Sequence, residues 1–409
     1  MAFLLATCAC QGKRSRPGAE PSPALPDAGH PVADPLDFPA SRFPPPPTPE
    51  PEVREAVRAL IWAAVADPQA DHDLVSGLLA HPKGRTGALL DLLDEPTTPA
   101  AERHMVLQAL RRLPDGAAAP RLARECVLGK DPILAGEAAD ALAASAVPLG
   151  AGALEAMSLR PEVKNRRRAA LALASLGAGG VEAREAALRS LRRLSSAKEA
   201  PIREAALRGL VTLGGPADAH WLSLRTKDED SMVRRRAVEG LAQHGTRDHL
   251  PLLLEALKDK FGPVAAVAAK GLERLRSPAA VPGLLTYLSG EERTALDPVM
   301  RTLGAIGDAR AVRYIVPYLF DRDAYVRVSA ARALAAIGEP EAIPQLIRAL
   351  DGEFLNARIA AAEALGAFGP ARGSDGVAAL RKVAKDDPEP AARAAAEAAL
   401  VAVPPASGP

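Results

Sequence analysis

The stretch that decides the fold is "DRDAYVRVSAARALAAIGEPEAIPQLIRAL", residues 321–350. Its first half places apolar residues at helical spacing, on one face that holds Val326, Ala330, Ala333, Leu334 and Ile337. Gly338 and Pro340 then end this helix, because glycine adopts the left-handed conformation readily and proline cannot continue a helix. A second apolar stripe follows at Ile343, Leu346, Ile347 and Leu350. The stretch therefore predicts two amphipathic helices that pack antiparallel, since the linker is short.

The same helix pair recurs along the chain at a step of 31 residues. Six leucines share one phase of the first helix: Leu210, Leu241, Leu272, Leu303, Leu334 and Leu365. An apolar residue also recurs at the start of that helix, at Ile202, Val233, Val264, Ala295, Val326 and Ala357. The second helix repeats Leu257, Leu288, Leu319 and Leu350. Because one such unit cannot bury its apolar stripes alone, the period predicts an all-α solenoid of stacked helix pairs.

The pattern "D..(V)R..A..AL..(I)G(D/E)P.A(I/V)P.L...L" strongly resembles the bacterial HEAT-like repeat, which is also known from phycobilin lyases. The resemblance covers residues 129–403. It implies a right-handed α-solenoid of antiparallel helix pairs, a HEAT/armadillo-like superhelix that serves mainly as a binding scaffold. Such a scaffold is expected to be a monomer that binds a protein or peptide on its concave surface.

Differences in composition divide the rest of the chain into segments. Residues 11–51 are expected to form a disordered, proline-rich tether, because 13 prolines fall between positions 17 and 51 and apolar residues are few. Residues 52–128 are helical but out of phase, which indicates divergent repeats and an amino-terminal cap. Residues 404–409 are expected to be a disordered tail.

Two cysteines near the amino terminus raise the question of a membrane anchor. "LATC" before Cys8 and "TCAC" ending at Cys10 resemble the lipobox of bacterial lipoproteins, so residues 1–10 are interpreted as a truncated lipoprotein signal. A lipidated cysteine implies a protein held at the cell envelope, in contact with the membrane only through the lipid. The alternative is a disordered cytoplasmic tail, because the apolar run is short and no positive charge precedes it.

Charge and motifs exclude several classes of function. The 51 basic and 50 acidic side chains leave a net charge of +1, which argues against nucleic acid as a partner. Three cysteines and scattered histidines predict no metal site, and Cys126 is expected in the core. No nucleophile elbow, phosphate loop or metal-binding helix motif occurs, so we expect no catalytic residues and no cofactor.

Arginines follow the first apolar residue of several units, at Arg166, Arg203, Arg234, Arg327 and Arg358. Aspartates share a second phase, at Asp228, Asp259 and Asp321. We interpret these arginines as a structural ladder that pairs with carboxylates between stacked repeats. An anion-binding track is the alternative, which the neutral overall charge disfavours.

The scarce aromatic residues suggest a partner-binding surface on the second helices. Tyr314 and Tyr318 lie opposite the apolar stripe of their helix, while Tyr287 and Trp221 share their phases in earlier repeats. Polar contacts in the neighbouring phase would come from Glu255, Thr286 and Arg348. Such aromatics suit partner recognition, although they could instead cover grooves between repeats. Pro317 predicts a kink in the same helix.

Two functions therefore remain open. The first is a non-catalytic scaffold for protein–protein interaction at the cell envelope. The second is an accessory lyase or chaperone-like factor that acts on a cofactor-bearing protein. A lyase would need a concave pocket lined by a nucleophile or an acid–base pair.

Overall fold

The computed structural model describes residues 36, 43–67 and 71–401. These residues form 22 α-helices, and no β-strand occurs among them. The amino-terminal helices are α1 (Pro51–Ala66), α2 (Asp71–Leu79), α3 (Arg85–Asp94), α4 (Ala100–Arg112), α5 (Ala119–Leu128), α6 (Pro132–Ala144), α7 (Gly150–Met157), α8 (Val163–Leu176), α9 (Val181–Leu194), α10 (Ala200–Leu213) and α11 (Ala219–Ser223). The remaining helices are α12 (Ser231–His244), α13 (Leu250–Ala256), α14 (Gly262–Leu275), α15 (Val281–Leu288), α16 (Leu296–Ile306), α17 (Val312–Ile315), α18 (Ala324–Ile337), α19 (Ile343–Leu350), α20 (Leu355–Ala367), α21 (Gly373–Asp386) and α22 (Pro390–Val401).

From α4 onward the helices form two layers. Each even-numbered helix stacks on the next even-numbered helix, from α4 through α22. Each odd-numbered helix packs against the even-numbered helix that follows it. This is an α-solenoid of antiparallel helix pairs, in which the even-numbered helices are the first helices of the repeats and the odd-numbered helices are the second. In the part of the chain that the structure describes, no helix is long and apolar enough to cross a membrane.

The repeat register predicted from the leucines is confirmed by burial. All six leucines in the phase of Leu334 are fully buried, as are Leu142 and Leu173 farther upstream. The second-helix leucines from Leu257 to Leu350 are buried as well. One apolar core runs from Val57 to Ala399 without a break at residue 129. The divergent helices therefore continue the same core as the regular repeats.

Local sequence signals end the helices where the pattern predicts. Gly307 and Gly338 follow α16 and α18 in the left-handed conformation, with φ of 74° and 75°. Arg276 occupies the same phase after α14 and also takes a left-handed φ, of 42°. The kink predicted at Pro317 is a complete break of the α-helix, because α17 ends at Ile315 and residues 316–320 form a 3₁₀ helix.

The end of the proline-rich stretch packs against the first helices, which corrects the prediction of a disordered tether that reached residue 51. Pro49 is buried, and Phe43 contacts the apolar core. Gly87 in α3 lies directly under this segment, since a Cβ atom there would sit 2.6 Å from the carbonyl oxygen of Pro47. Residues 43–50 are therefore part of the folded domain. Residues 1–35, 37–42 and 402–409, and with them most of the predicted tether and the tail, lie outside the described residues.

Candidate protein-binding surface

The arginine ladder runs along the edge where each second helix turns into the next first helix. Arg203, at the start of α10, donates from Nε and Nη2 to the two carboxylate oxygens of Asp228, at 2.8 and 2.7 Å. Its Nη1 donates to the carbonyl oxygens of Ala197 and Lys198 in the turn before α10. Both charged side chains are buried, with exposed fractions of 6% and 4%. One arginine thus ties its own turn to the turn of the next repeat.

We call each arginine of the ladder, together with its partner in the next turn, a rung. Other rungs repeat this geometry. Arg234 donates to both carboxylate oxygens of Asp259, at 2.6 and 2.9 Å. Arg358 donates in the same way to Asp387, at 2.7 and 3.1 Å. Arg166 pairs with a glutamate instead, Glu199, at 3.0 Å. In each of these rungs a carboxylate of the next turn compensates the charge of the arginine.

These pairs shift the ionisation of their members. The hydrogen bond from Arg234 lowers the pKa of Asp259 below its ordinary value, and the bond from Arg358 does the same to the pKa of Asp387. A carboxyl whose pKa is lowered by folding stabilises the folded state above its unfolded pKa, and this contribution is lost as the pH falls through the lowered value. The ladder therefore stabilises the stack at neutral pH.

The rung of Arg327 differs from the others. Its Nε and Nη2 donate to the amide oxygen of Asn356, at 3.3 and 2.8 Å, and its Nη1 donates to the carbonyl oxygens of Asp321 and Arg322. The guanidinium lies 3.9 Å from the centre of the Phe354 ring. All of these acceptors are neutral, so no carboxylate completes this rung.

The structure places one of the predicted surface aromatics in the core. Tyr287 is only 3% exposed, and its hydroxyl accepts a hydrogen bond from the backbone amide of Ala295 at 2.9 Å. Its interpretation as a surface contact is therefore wrong: the chain between α15 and α16 folds over the ring. Tyr318 is half-buried and donates to the carbonyl oxygen of Leu288 in the preceding repeat, at 2.6 Å. Both hydroxyl groups hold backbone in place.

The other predicted surface residues are spread over the second helices. Trp221 and Tyr314 are half-buried against the core, with Arg313 stacked 5.0 Å from the Tyr314 ring centre. Glu255 is exposed and pairs with Lys227 at 2.9 Å. Exposed Thr286 donates back to its own helix, at Pro282. The predicted set does not come together as one exposed aromatic surface.

Exposed aromatic side chains occur elsewhere, at a place that the sequence pattern did not reveal. Phe320, Tyr325 and Phe354 are 45%, 83% and 43% exposed. They are three of the four exposed aromatic side chains in the described residues, and the fourth is Trp62 in α1. Phe320 ends the 3₁₀ helix, while Tyr325 is the second residue of α18 and is exposed within its first turn. These aromatics lie on two successive turns of the ladder edge.

Arginines lie against two of these aromatic residues, Phe320 and Phe354. Arg327 links the two turns, since it binds the carbonyl groups of residues 321 and 322 and stacks on Phe354. Exposed Arg348, one of the predicted contact residues, lies 5.4 Å from the ring centre of Phe320. We use the name aromatic edge for the surface formed by Phe320, Arg322, Tyr325, Arg348 and Phe354, together with the buried Arg327 next to it. Aromatic and arginine side chains of this kind are enriched in the residues that dominate binding energy at protein interfaces.

Two cavities lie elsewhere on the chain. One, of about 370 Å³, is lined by Arg111, Asp140, Ser175 and small residues of α6 and α8. Asp140 is paired there with Arg168 at 2.7 Å. The other, of about 250 Å³, lies beside the Arg358 rung and contains Asp351 and Lys382, which pair with each other at 2.9 Å. Of the charged groups that line the two cavities, all but Asp386 are engaged in ion pairs.

Histidine, cysteine and acidic side chains do not gather in groups of three suited to a metal ion within the described residues. Cys126 is fully buried in α5, as expected, and burial raises the pKa of its thiol. Cys8 and Cys10 lie outside the described residues.

Solved structures with the same fold are long α-solenoids. The chain is similar to Kap121p (TM-score 0.61, 13% identity, 86% of this chain and 45% of that one). It is also similar to a structure of Kap95p with RanGDP (0.59, 14%, 86% and 55%) and to importin beta (0.58, 15%, 86% and 55%). The chain spans about half the length of these proteins, and at such identities the likeness concerns the fold alone. No curated protein matches the sequence.

A match to a family model identifies the type of repeat. The model of HEAT repeats matches residues 219–296, 299–355 and 313–401, which include α11 through α22. These matches cover the ladder from Arg234 onward and all of the aromatic edge. The chain is therefore an α-solenoid in which residues 219–296 and 299–401 match HEAT repeats.

Proposed function

We propose that this solenoid is a non-catalytic scaffold that binds another protein or peptide at the aromatic edge. The observation that carries the proposal is the exposure of Phe320, Tyr325 and Phe354 in and next to two successive turns, with arginines stacked on two of the rings. Only 3% of the residues of this chain are aromatic. Because these three rings are exposed, they do not serve to fill the apolar core. Exposed apolar groups of this kind mark interaction sites.

Affinity capture from native cells, followed by mass spectrometry, tests this proposal. We expect a protein that is retained by the wild-type chain and lost when Phe320, Tyr325 and Phe354 are all changed to Ala. Each residue of an interface centre contributes more than about 1 kcal/mol, so the combined change lowers affinity by about 100-fold or more.

A matched control removes three exposed apolar side chains at other places, with Trp62, Leu159 and Val181 changed to Ala. This variant is expected to retain the partner, and circular dichroism must show the same helical content for both variants. Retention of every captured protein by the aromatic-edge variant would overturn the proposal.

We also propose that a lipid on Cys8 or Cys10 holds this scaffold at the cell envelope, as the lipobox resemblance implies. Cells that express the chain from its native upstream region, in the presence of labelled palmitate, are expected to yield labelled protein. The label should disappear when both cysteines are changed to Ser. Protein that is never labelled would instead support a cytoplasmic location. The lyase alternative, the monomeric state and binding at the concave surface stay predictions.

A further inference from the structure

Asn356 interrupts an otherwise acidic set of ladder partners. The arginines at the starts of α8, α10, α12 and α20 pair with glutamate or aspartate of the next turn. At the start of α18, Arg327 has the same contacts to its own turn, but its partner is the side-chain amide of Asn356. The geometry of the rung is preserved, while its negative charge is missing.

The consequence is a buried positive charge without a counter-ion. Arg327 is only 4% exposed. Carbonyl and amide oxygens satisfy its N–H groups, but they do not cancel its charge, and a buried charge is costly unless an opposite charge accompanies it. This cost is reduced when a carboxylate from outside approaches the guanidinium.

The charged residues near Arg327 do not supply the missing counter-ion. In the part of the chain that the structure describes, no carboxylate lies within ion-pair distance of Arg322, Arg327 or Arg348. Asp321 pairs with Arg293 at 2.6 Å, and Asp323 accepts from the amide of Tyr325 at the start of α18. Glu353, next to Phe354, forms no ion pair with these three arginines. The aromatic edge thus presents the exposed side chains of Arg322 and Arg348, and neither these two nor the buried Arg327 forms an ion pair with a carboxylate of the described residues.

We infer that the partner of the aromatic edge is an acidic peptide segment with an apolar anchor. Its carboxylates would lie beside the exposed side chains of Arg322 and Arg348, near the buried guanidinium of Arg327, and its apolar side chain would contact Phe320 and Phe354. This inference rests on the proposed function and adds the chemistry of the partner. Charge complementarity carries it, since the rungs of Arg166, Arg203, Arg234 and Arg358 have internal carboxylates and leave no such demand.

The substitution Asn356→Asp tests the inference because it supplies the missing counter-ion. The probe is a short fluorescein-labelled peptide rich in glutamate, leucine and tryptophan, and its twin carries lysine in place of every glutamate. With the full chain, we expect saturable binding of the glutamate peptide and none of the twin. Asn356→Asp is expected to weaken this binding about tenfold. The same change should raise the melting temperature by about 2 °C, since it completes the rung.

Asp387→Asn is the matched control, because it converts the Arg358 rung to the neutral type at another place. It is expected to lower the melting temperature and to leave peptide affinity unchanged. The inference is overturned by equal binding of the two peptides, by unchanged affinity of Asn356→Asp, or by no saturable binding up to about 1 mM. If affinity capture still depends on the aromatic residues in those cases, the proposed function stands and only the acidic partner is wrong.

The chain's own proline-rich stretch is the rival occupant, since residues 17–41 contain four acidic residues and no lysine or arginine. The full chain with Glu20→Gln, Asp27→Asn, Asp34→Asn and Asp37→Asn separates the two. We expect unchanged affinity for the glutamate peptide. A gain of affinity of about tenfold would show that this stretch covers the edge and would overturn an external partner.

Discussion

Replacing Leu334 with Asp is expected to unfold the repeats around α18 under conditions in which the wild-type chain is folded. Leu334 is fully buried, in the first helix that stacks between α16 and α20. Removal of a buried leucine costs about 2–5 kcal/mol, and burial of a carboxyl group without partners adds several more. The sum is comparable with the total stability of many domains. Because each repeat contacts only its neighbours, the loss is expected to spread from α18 rather than to be shared by the whole chain.

Thermal unfolding followed by circular dichroism, together with hydrogen exchange, measures this effect. We expect a lower first transition and faster exchange in α16, α18 and α20 than in α6 and α8. Leu334→Met conserves the volume and should cost less than about 1.5 kcal/mol. Leu159→Asp places the same charge at a position that is 78% exposed and should change little. Unchanged melting of Leu334→Asp would mean that the leucine phase does not mark the core.

The fold could be predicted because apolar residues that must be buried recur in the sequence at a constant step. A residue such as Leu272 must be buried in every copy, or the first helix would expose its stripe to water. Six copies of the repeat place leucine at this position, so each copy indicates the same register. Divergent sequence in one copy therefore does not obscure the register. Left-handed Gly338 and the helix break at Pro317 follow from local backbone chemistry, which is equally readable from sequence.

The candidate site could not be predicted in the same way, because exposure of an off-phase residue depends on its neighbours in space. Tyr287 and Tyr318 fall in one phase, yet the turn before α16 covers Tyr287 almost completely. Phe320 and Phe354 lie in turns, where the helical period carries no information about which way a ring points. The pairing of Arg327 with Asn356 could not be predicted from the sequence either. The ladder partner follows its arginine by 25 residues at Arg203 and Arg234 but by 29 at Arg327, so a search at constant spacing finds glycine there instead.

Replacing Asp228 with Ala is expected to destabilise the chain by about 3–5 kcal/mol, because it leaves the buried guanidinium of Arg203 without its counter-ion. Asp228 also accepts from the amide of Asp230 in the turn before α12, so the substitution loosens that turn too. Thermal or urea unfolding gives the change in the free energy of unfolding. Asp228→Asn should cost less than Asp228→Ala, since an amide oxygen can accept from arginine as Asn356 does at the Arg327 rung.

The double substitution Arg203→Met with Asp228→Leu separates the loss of a partner from the value of the pair itself. Replacement of a whole buried ion pair by apolar side chains of similar volume is often close to neutral. We therefore expect the double variant to be more stable than Asp228→Ala by at least about 2 kcal/mol, despite the larger change in sequence. If the double variant is as unstable as the single one, the contacts of Arg203 to the carbonyl groups of Ala197 and Lys198 hold the repeats together more than the ion pair does. The ladder would then act mainly as a set of turn clamps, and the missing carboxylate at Asn356 would cost the fold little.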